Sequence, residues 1–182
     1  MTTARPLRRD ALANRERLLA AAAEVFHEHG LTASLDDVAR RAGVGVATLY
    51  RNFPHREALL DTLLVDLLED YSRTADEALA LPAGSGLAWF LRTVGDVQAT
   101  PRGCPLRLWS SSAAQPSRSA LHDRMEALIR DAQRAGTCRD DVRLGDLIGI
   151  LVAVRGVRET PSTDVALDWR RHLELCLAGL RP

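Results

Sequence analysis

Between Ser34 and Pro54 the chain has two brief apolar-periodic runs separated by Gly43-Val44-Gly45, and that spacing leaves little choice of fold. Ser34 followed by Asp37 has the form of a capping box, with Asp in place of the commoner Glu. It opens a run in which Leu35, Val38, Ala39 and Ala42 share one helical face. Gly43 falls where a helix of about two turns would end, because a C-cap favours a residue that takes positive φ without a steric penalty. A second run, Val46 to about Asn52, follows so closely that it must leave at a steep angle, and Pro54 closes it.

The paired glycines also invite a phosphate-cradling loop. Such a loop needs a preceding strand, a longer glycine pattern and, in the P-loop, a Lys-Ser/Thr pair opening a helix. None is present, so the segment reads as a helix-turn-helix over residues 34–53. Val38, Leu49 and Phe53 are spaced to hold its two helices together, leaving Ala47, Thr48, Tyr50, Arg51 and Asn52 to face outward. In this geometry the second helix lies in the major groove with its N-terminal residues, here Gly45 to Arg51 with Val46 among them, nearest the base edges. Ala47 suits close approach or a thymine methyl, Thr48 a base or phosphate, and Tyr50 a phosphate.

The rest of the chain is helical by the same reasoning. Alanine and leucine dominate, aromatics make up 4% and β-branched clusters are scarce, which favours an all-α protein. An arm of residues 1–9 precedes a helix with Leu12, Leu18, Leu19, Ala22, Val25 and Phe26 on one face, stopped by Gly30. From Arg56 to about Ala80 runs a wide stripe of Leu59, Leu60, Leu63, Leu64, Leu67, Leu68 and Tyr71, broader than a coiled-coil seam and suited to burial on two sides. Further helices are expected at about 87–98, 105–114, 117–135, 142–157 and 163–179, making about nine. The N-terminal three-helix domain spans residues 1–56 and a C-terminal helical domain 57–182.

Charge and cysteine usage narrow the function. Residues 1–56 carry nine Arg against six acids and the remainder fifteen against eighteen, a front-loaded excess of three positive charges that hints at a polyanion. All 24 basic residues are arginine, which reflects coding bias more than bidentate design. Cys104, Cys138 and Cys176 are too far apart for a zinc or dithiol pair and fit a reducing interior. Arg5, Arg8 and Arg9 are followed by Asn14 to Arg17 before any sustained apolar stretch, so no signal-peptide centre is evident, and the longest apolar run, Ile148–Val154, is short of a membrane span. A cytoplasmic protein without membrane contact is expected. No HExxH, no Ser-His-Asp order and no metal-ligand spacing argues for catalysis, a metal or a cofactor.

Thr32 to Leu60, TASLDDVARRAGVGVATLYRNFPHREALL, resembles the DNA-binding signature of the TetR family of transcriptional regulators, and the likeness extends over residues 11–71. Residues 119–182 are similar, less specifically, to C-terminal domains of actinobacterial members. The resemblance implies an all-helical homodimeric repressor, released from a pseudo-palindromic double-stranded DNA operator by a small-molecule effector, with the last two long helices forming the dimer bundle. It places Ser34 and Thr48 at phosphate or base contacts, Tyr50 on a phosphate, Arg51 where the family often has histidine, and Arg56 on backbone phosphate. Gly45 stands where a hydroxyl residue is common and His55 where serine often caps the fourth helix, so neither is expected to supply the usual cap of roughly 1 kcal/mol.

In such a protein Tyr71, Trp89, Phe90, Trp109 and Met125 are candidates to line an effector pocket, or else simply fill the core. Arg8 and Arg9 read either as a solvated tail or as an arm on the DNA backbone, and Arg40 and Arg41 as a solvated helix end. Two alternatives stand beside the repressor: a DNA-binding regulator without an effector, or an activator; and, from another class, a helical enzyme or protein-interaction module.

Overall fold

The computed structural model of the chain describes residues 4–30, 32–98, 111–160 and 166–182. Among them it is entirely helical: α1 (Ala4–His29), α2 (Leu35–Ala42), α3 (Val46–Asn52), α4 (Arg56–Leu79), α5 (Gly86–Gln98), α6 (Gln115–Arg134), α7 (Leu144–Glu159) and α8 (Trp169–Gly179). Eight helices thus stand where about nine were expected, and the ninth, 105–114, lies mostly outside the described residues. No helix among the described residues is long and apolar enough to cross a membrane.

Three boundaries differ from the sequence reading. Helix α1 already begins at Ala4, so most of the expected arm is helical. Pro116, read as punctuation, sits inside the first turn of α6, where a missing N–H costs nothing because the first-turn donors have no partner in the helix. Helix α8 begins only at Trp169, because the Asp168 carboxylate accepts from the backbone N–H of Arg170 at 2.9 Å and of Arg171 at 3.2 Å, a strong N-cap.

The backbone groups into two compact units, one built on Met1–Leu64, the other on Val65–Thr100 with Ser112–Pro182. In the first, Leu18, Ala22, Val25 and Phe26 of α1 meet Leu35, Val38, Ala39 and Ala42 of α2, Leu49 and Phe53, and Leu59 and Leu60 of α4 in one apolar cluster. Each fully buried Leu or Phe contributes about 1.5–3 kcal/mol relative to exposure. Leu12, assigned to the same face, is solvent-exposed: it lies more than a turn N-terminal to Leu18, the first buried residue from Leu12 onward.

In the second unit, α5 and α8 are tied by a two-point Arg92–Glu174 ion pair, at 2.6 and 2.9 Å, and by Arg170–Asp96 at 2.7 Å. The chain turns into α5 so tightly that a Cβ on Gly86 would stand 2.3 Å from the Ala78 carbonyl oxygen. Backbone cannot yield as a side-chain tip can. Gly86→Ala is therefore expected to lower stability by about 1–3 kcal/mol in urea unfolding, at unchanged helix content by circular dichroism.

Candidate nucleic-acid interface

Helix α2 opens as its sequence requires: the Ser34 hydroxyl accepts from the Asp36 N–H at 3.1 Å. The capping box does not close, however. Asp37 turns instead to the Arg40 guanidinium one turn on, a pairing within reach at i, i+3 that removes Asp37 from the helix start. At the other end Gly43 adopts φ 66°, its N–H donates to the Arg40 carbonyl, and the Val44 N–H reaches back to Ala39 at 3.0 Å. This pair of reversed bonds is the Schellman closure, and only a residue indifferent to positive φ supports it cheaply.

Two residues later Gly45, in extended conformation, starts α3 with no side-chain cap, as expected, while its carbonyl accepts from Thr48 and Leu49 at 2.8 and 3.2 Å. Leu49 and Phe53 point into the core. Val46, Ala47, Tyr50 and Arg51 are exposed at spacings that put them on the opposite face, with Tyr50 showing 47% of its surface. Thr48 is half-buried at the edge of that face, where Asn52 Nδ2 donates to its carbonyl at 2.8 Å and Arg51 lies 3.5 Å from its hydroxyl. Ser34 is exposed as well, and its hydroxyl hydrogen remains available to a phosphate oxygen.

Arg56 has a second occupation. Half-buried at the start of α4, its guanidinium donates to the Ala33 carbonyl at 2.5 Å and lies 5.6 Å from the centroid of the Phe26 ring. It joins α4 to the segment leading into α2. His55 is a correction: its Nδ1 accepts from the Ala58 N–H at 3.1 Å, so imidazole does the capping expected of serine.

Two further contacts were not read from the sequence. Arg41, taken as a solvated helix end, reaches from α2 across to α1, 3.0 Å from Glu24 and 2.7 Å from Glu28. Its hydrogen bond holds the Glu28 carboxyl below its ordinary pKa. Arg15 of α1 stacks 4.5 Å over the Phe53 ring and donates to the Thr62 hydroxyl. Both pairings link residues far apart in sequence, where periodicity carries no signal.

The pocket candidates fall in the second unit: Tyr71 on α4, Phe90 on α5 and Met125 on α6 are buried, and Trp89 is half-buried. Trp109 lies outside the described residues.

Family models place this arrangement. Residues 18–63 match the model for "Bacterial regulatory proteins, tetR family", and residues 82–182 match "Transcriptional regulator SbtR-like, C-terminal domain". The chain belongs to the TetR family. A TetR transcriptional regulator from Streptomyces coelicolor is 34% identical in a superposition covering 92% of this chain and 98% of that one, with a TM-score of 0.65. Another from Mycobacterium vanbaalenii is 32% identical over 97% of this chain and 100% of its own, with a TM-score of 0.68. An HTH-type transcriptional regulator from Mycobacterium tuberculosis strain H37Rv is 27% identical over 161 residues, 84% of each chain. As a TetR-family protein the chain is a DNA-binding transcriptional regulator and not an enzyme.

The cap at α4 can be measured directly. His55→Ala should lose about 1 kcal/mol of stability and His55→Ser should restore it, as read from denaturant midpoints at constant slope. Equal stability of the wild type and the alanine variant would show that the imidazole contributes no cap.

Proposed function

We propose that this TetR-family regulator is a homodimeric repressor that binds a pseudo-palindromic operator and is released from it by a small-molecule effector. In this reading residues 1–56 bind DNA, residues 57–182 take the effector and form the dimer, and the protein works in the cytoplasm.

The observation that carries the reading is the two-faced α3. Leu49 and Phe53 fix one side in the core, and Val46, Ala47, Tyr50 and Arg51 stand on the other, a face that joins two small apolar groups to a phenol and a guanidinium and so suits a DNA groove. Inserted in the major groove, Arg51 would reach the O6 and N7 acceptors of guanine or a flanking phosphate, Ala47 and Val46 a thymine methyl, and the Tyr50 hydroxyl a phosphate. Gly45, without a side chain, lets the helix start approach the backbone. Ser34 and Thr48 add hydroxyls at the flanks, and Arg56, whose guanidinium donates to the Ala33 carbonyl at the start of α4, is placed on backbone phosphate in this reading.

Dimerisation is supported by what α7 and α8 leave uncovered. Val152 on α7 is 39% exposed and Leu175 on α8 60% exposed, and Gly149 and Gly156 on α7 have open space where a Cβ would be. Large apolar side chains beside small ones suit close helix packing against a second copy. Two-fold symmetry then sets two α3 helices about 34–36 Å apart, or a multiple, on successive turns of DNA. Tyr71, Phe90 and Met125, with Trp89 next to Phe90 in the chain, are the aromatic and soft side chains proposed to meet the effector.

The DNA-binding test uses an operator selected from a random duplex pool and titrated by fluorescence anisotropy at several salt concentrations. Arg51→Ala should weaken the selected operator by about 1–3 kcal/mol and relax preference at one position. Tyr50→Phe should weaken all sequences alike. Variants binding as tightly as the wild type would remove α3 from the interface.

Leu175→Glu tests the dimer. It should convert the protein to monomer by sedimentation while keeping its helix content, and abolish high-affinity operator binding, because each half-site alone is weak. A variant that remains dimeric would place the interface elsewhere.

A further inference from the structure

Most ion pairs of the second unit lie in solvent, but one cluster does not. Arg155 of α7 is only 7% exposed, and its Nε donates to Glu159 Oε1 at 2.6 Å. Arg158, on the same helix and partly buried, donates to the main-chain carbonyl of Gln98 at the end of α5. Gln98 is itself 6% exposed, and its side-chain Oε1 is buried with no hydrogen-bond partner. Of Arg155's five N–H donors the Glu159 contact takes one, and none of the described residues accepts from the others.

The charges do not balance. Two guanidiniums face one carboxylate, and that carboxylate is well exposed and so weakened by solvent. Arg158 accordingly has its pKa pushed down, first by burial and then by the charge of Arg155, with Glu159 and the buried Tyr71 acting the other way. A guanidinium stays protonated under such pressure, so the strain persists as unneutralised positive charge. The unpartnered Gln98 oxygen adds the desolvation penalty of an acceptor left without a donor. A surrounding that built only a core would have no use for either.

We propose that Arg155, Arg158 and Gln98 form the polar end of the effector site, and that the effector is a small organic acid. Its carboxylate lies against the guanidiniums, whose planar donor forks match two carboxylate oxygens, and a hydroxyl or N–H group of the same molecule donates to Gln98 Oε1. Its carbon skeleton lies toward the Tyr71 ring. This assignment rests on the effector-released reading and adds to it the chemical class of the ligand.

The experiment uses the purified full chain and three probes carrying both groups: 4-hydroxybenzoate, 3-hydroxyoctanoate and N-acetylphenylalanine. Each is compared with its methyl ester, and inorganic phosphate is run alongside. Calorimetry and thermal unfolding report binding, and anisotropy on the selected operator reports release. At least one acid should bind ten or more times more tightly than its ester. Arg155→Gln and Arg158→Gln should each remove that preference, and Gln98→Leu should remove the advantage of the donor group over its deoxy analogue. The acid-against-ester comparison needs no variant and stands even where a substitution impairs folding.

Acids and esters binding alike, none of the three acids binding, or phosphate binding as tightly as the acids would each overturn the proposal. If a neutral ester binds and releases the operator while its acid does not, the acid class falls and effector release stands. If an acid binds with the expected sensitivities but the operator stays bound, the site stands and effector release falls.

Discussion

Helix α3 has seven residues and an N-cap without a side chain, so it has almost no stability of its own. Nucleating so short a helix in water is unfavourable, and propagation over two turns does not recover the cost. What holds it is the burial of Leu49 and Phe53 in the cluster made by α1, α2 and the start of α4. Every outward residue of the helix depends on those two inward ones. The Schellman closure at Gly43 then fixes the angle at which α3 departs, and with it the direction in which Tyr50 and Arg51 point.

The polar contacts around this core act as braces more than as sources of stability. Arg41 bridging Glu24 and Glu28 is exposed, and such pairs contribute little in water. Their geometry nevertheless opposes sliding of α2 along α1. Arg15 on Phe53 and Arg56 on Phe26 lay cationic planes against rings at the margin of the core, covering apolar surface that would otherwise meet water. Arg56 also shows why a basic residue beside a proposed DNA surface cannot be assigned to phosphate by charge alone. Its anchoring to the Ala33 carbonyl limits where the guanidinium can reach.

Features that depend on neighbours in sequence were legible. Ser34 as N-cap, Gly43 as positive-φ terminator, the inward spacing of Val38, Leu49 and Phe53, and the wide stripe of α4 follow from periodicity and cap chemistry. Features that depend on distant partners were not. Asp37 could have closed a capping box, but Arg40 competed for it. His55 looked like a lost cap because imidazole seldom serves there, and only backbone placement shows Nδ1 aimed at the Ala58 N–H. Leu12 matched the helical period yet is exposed, because period does not say how far along a helix its partner surface extends. Helix α8 starts later than the expected 163, at Trp169, because the Asp168 carboxylate caps it there.

In the proposed effector-released reading, coupling between ligand and DNA works through structures that have two arrangements, and a ligand shifts their balance only by its difference in affinity for the two. Arg56, near the start of α4, is fixed to the segment before α2. A core filled with leucine alone would make α4 steady but indifferent to ligands. On the proposal made above, the charge of Arg155 and Arg158, balanced only in part by Glu159, and the unpartnered acceptor of Gln98 leave a deficit that a complementary ligand would make good on binding. A sensor has reason to keep such a deficit, since a site already satisfied has nothing left to gain from its ligand.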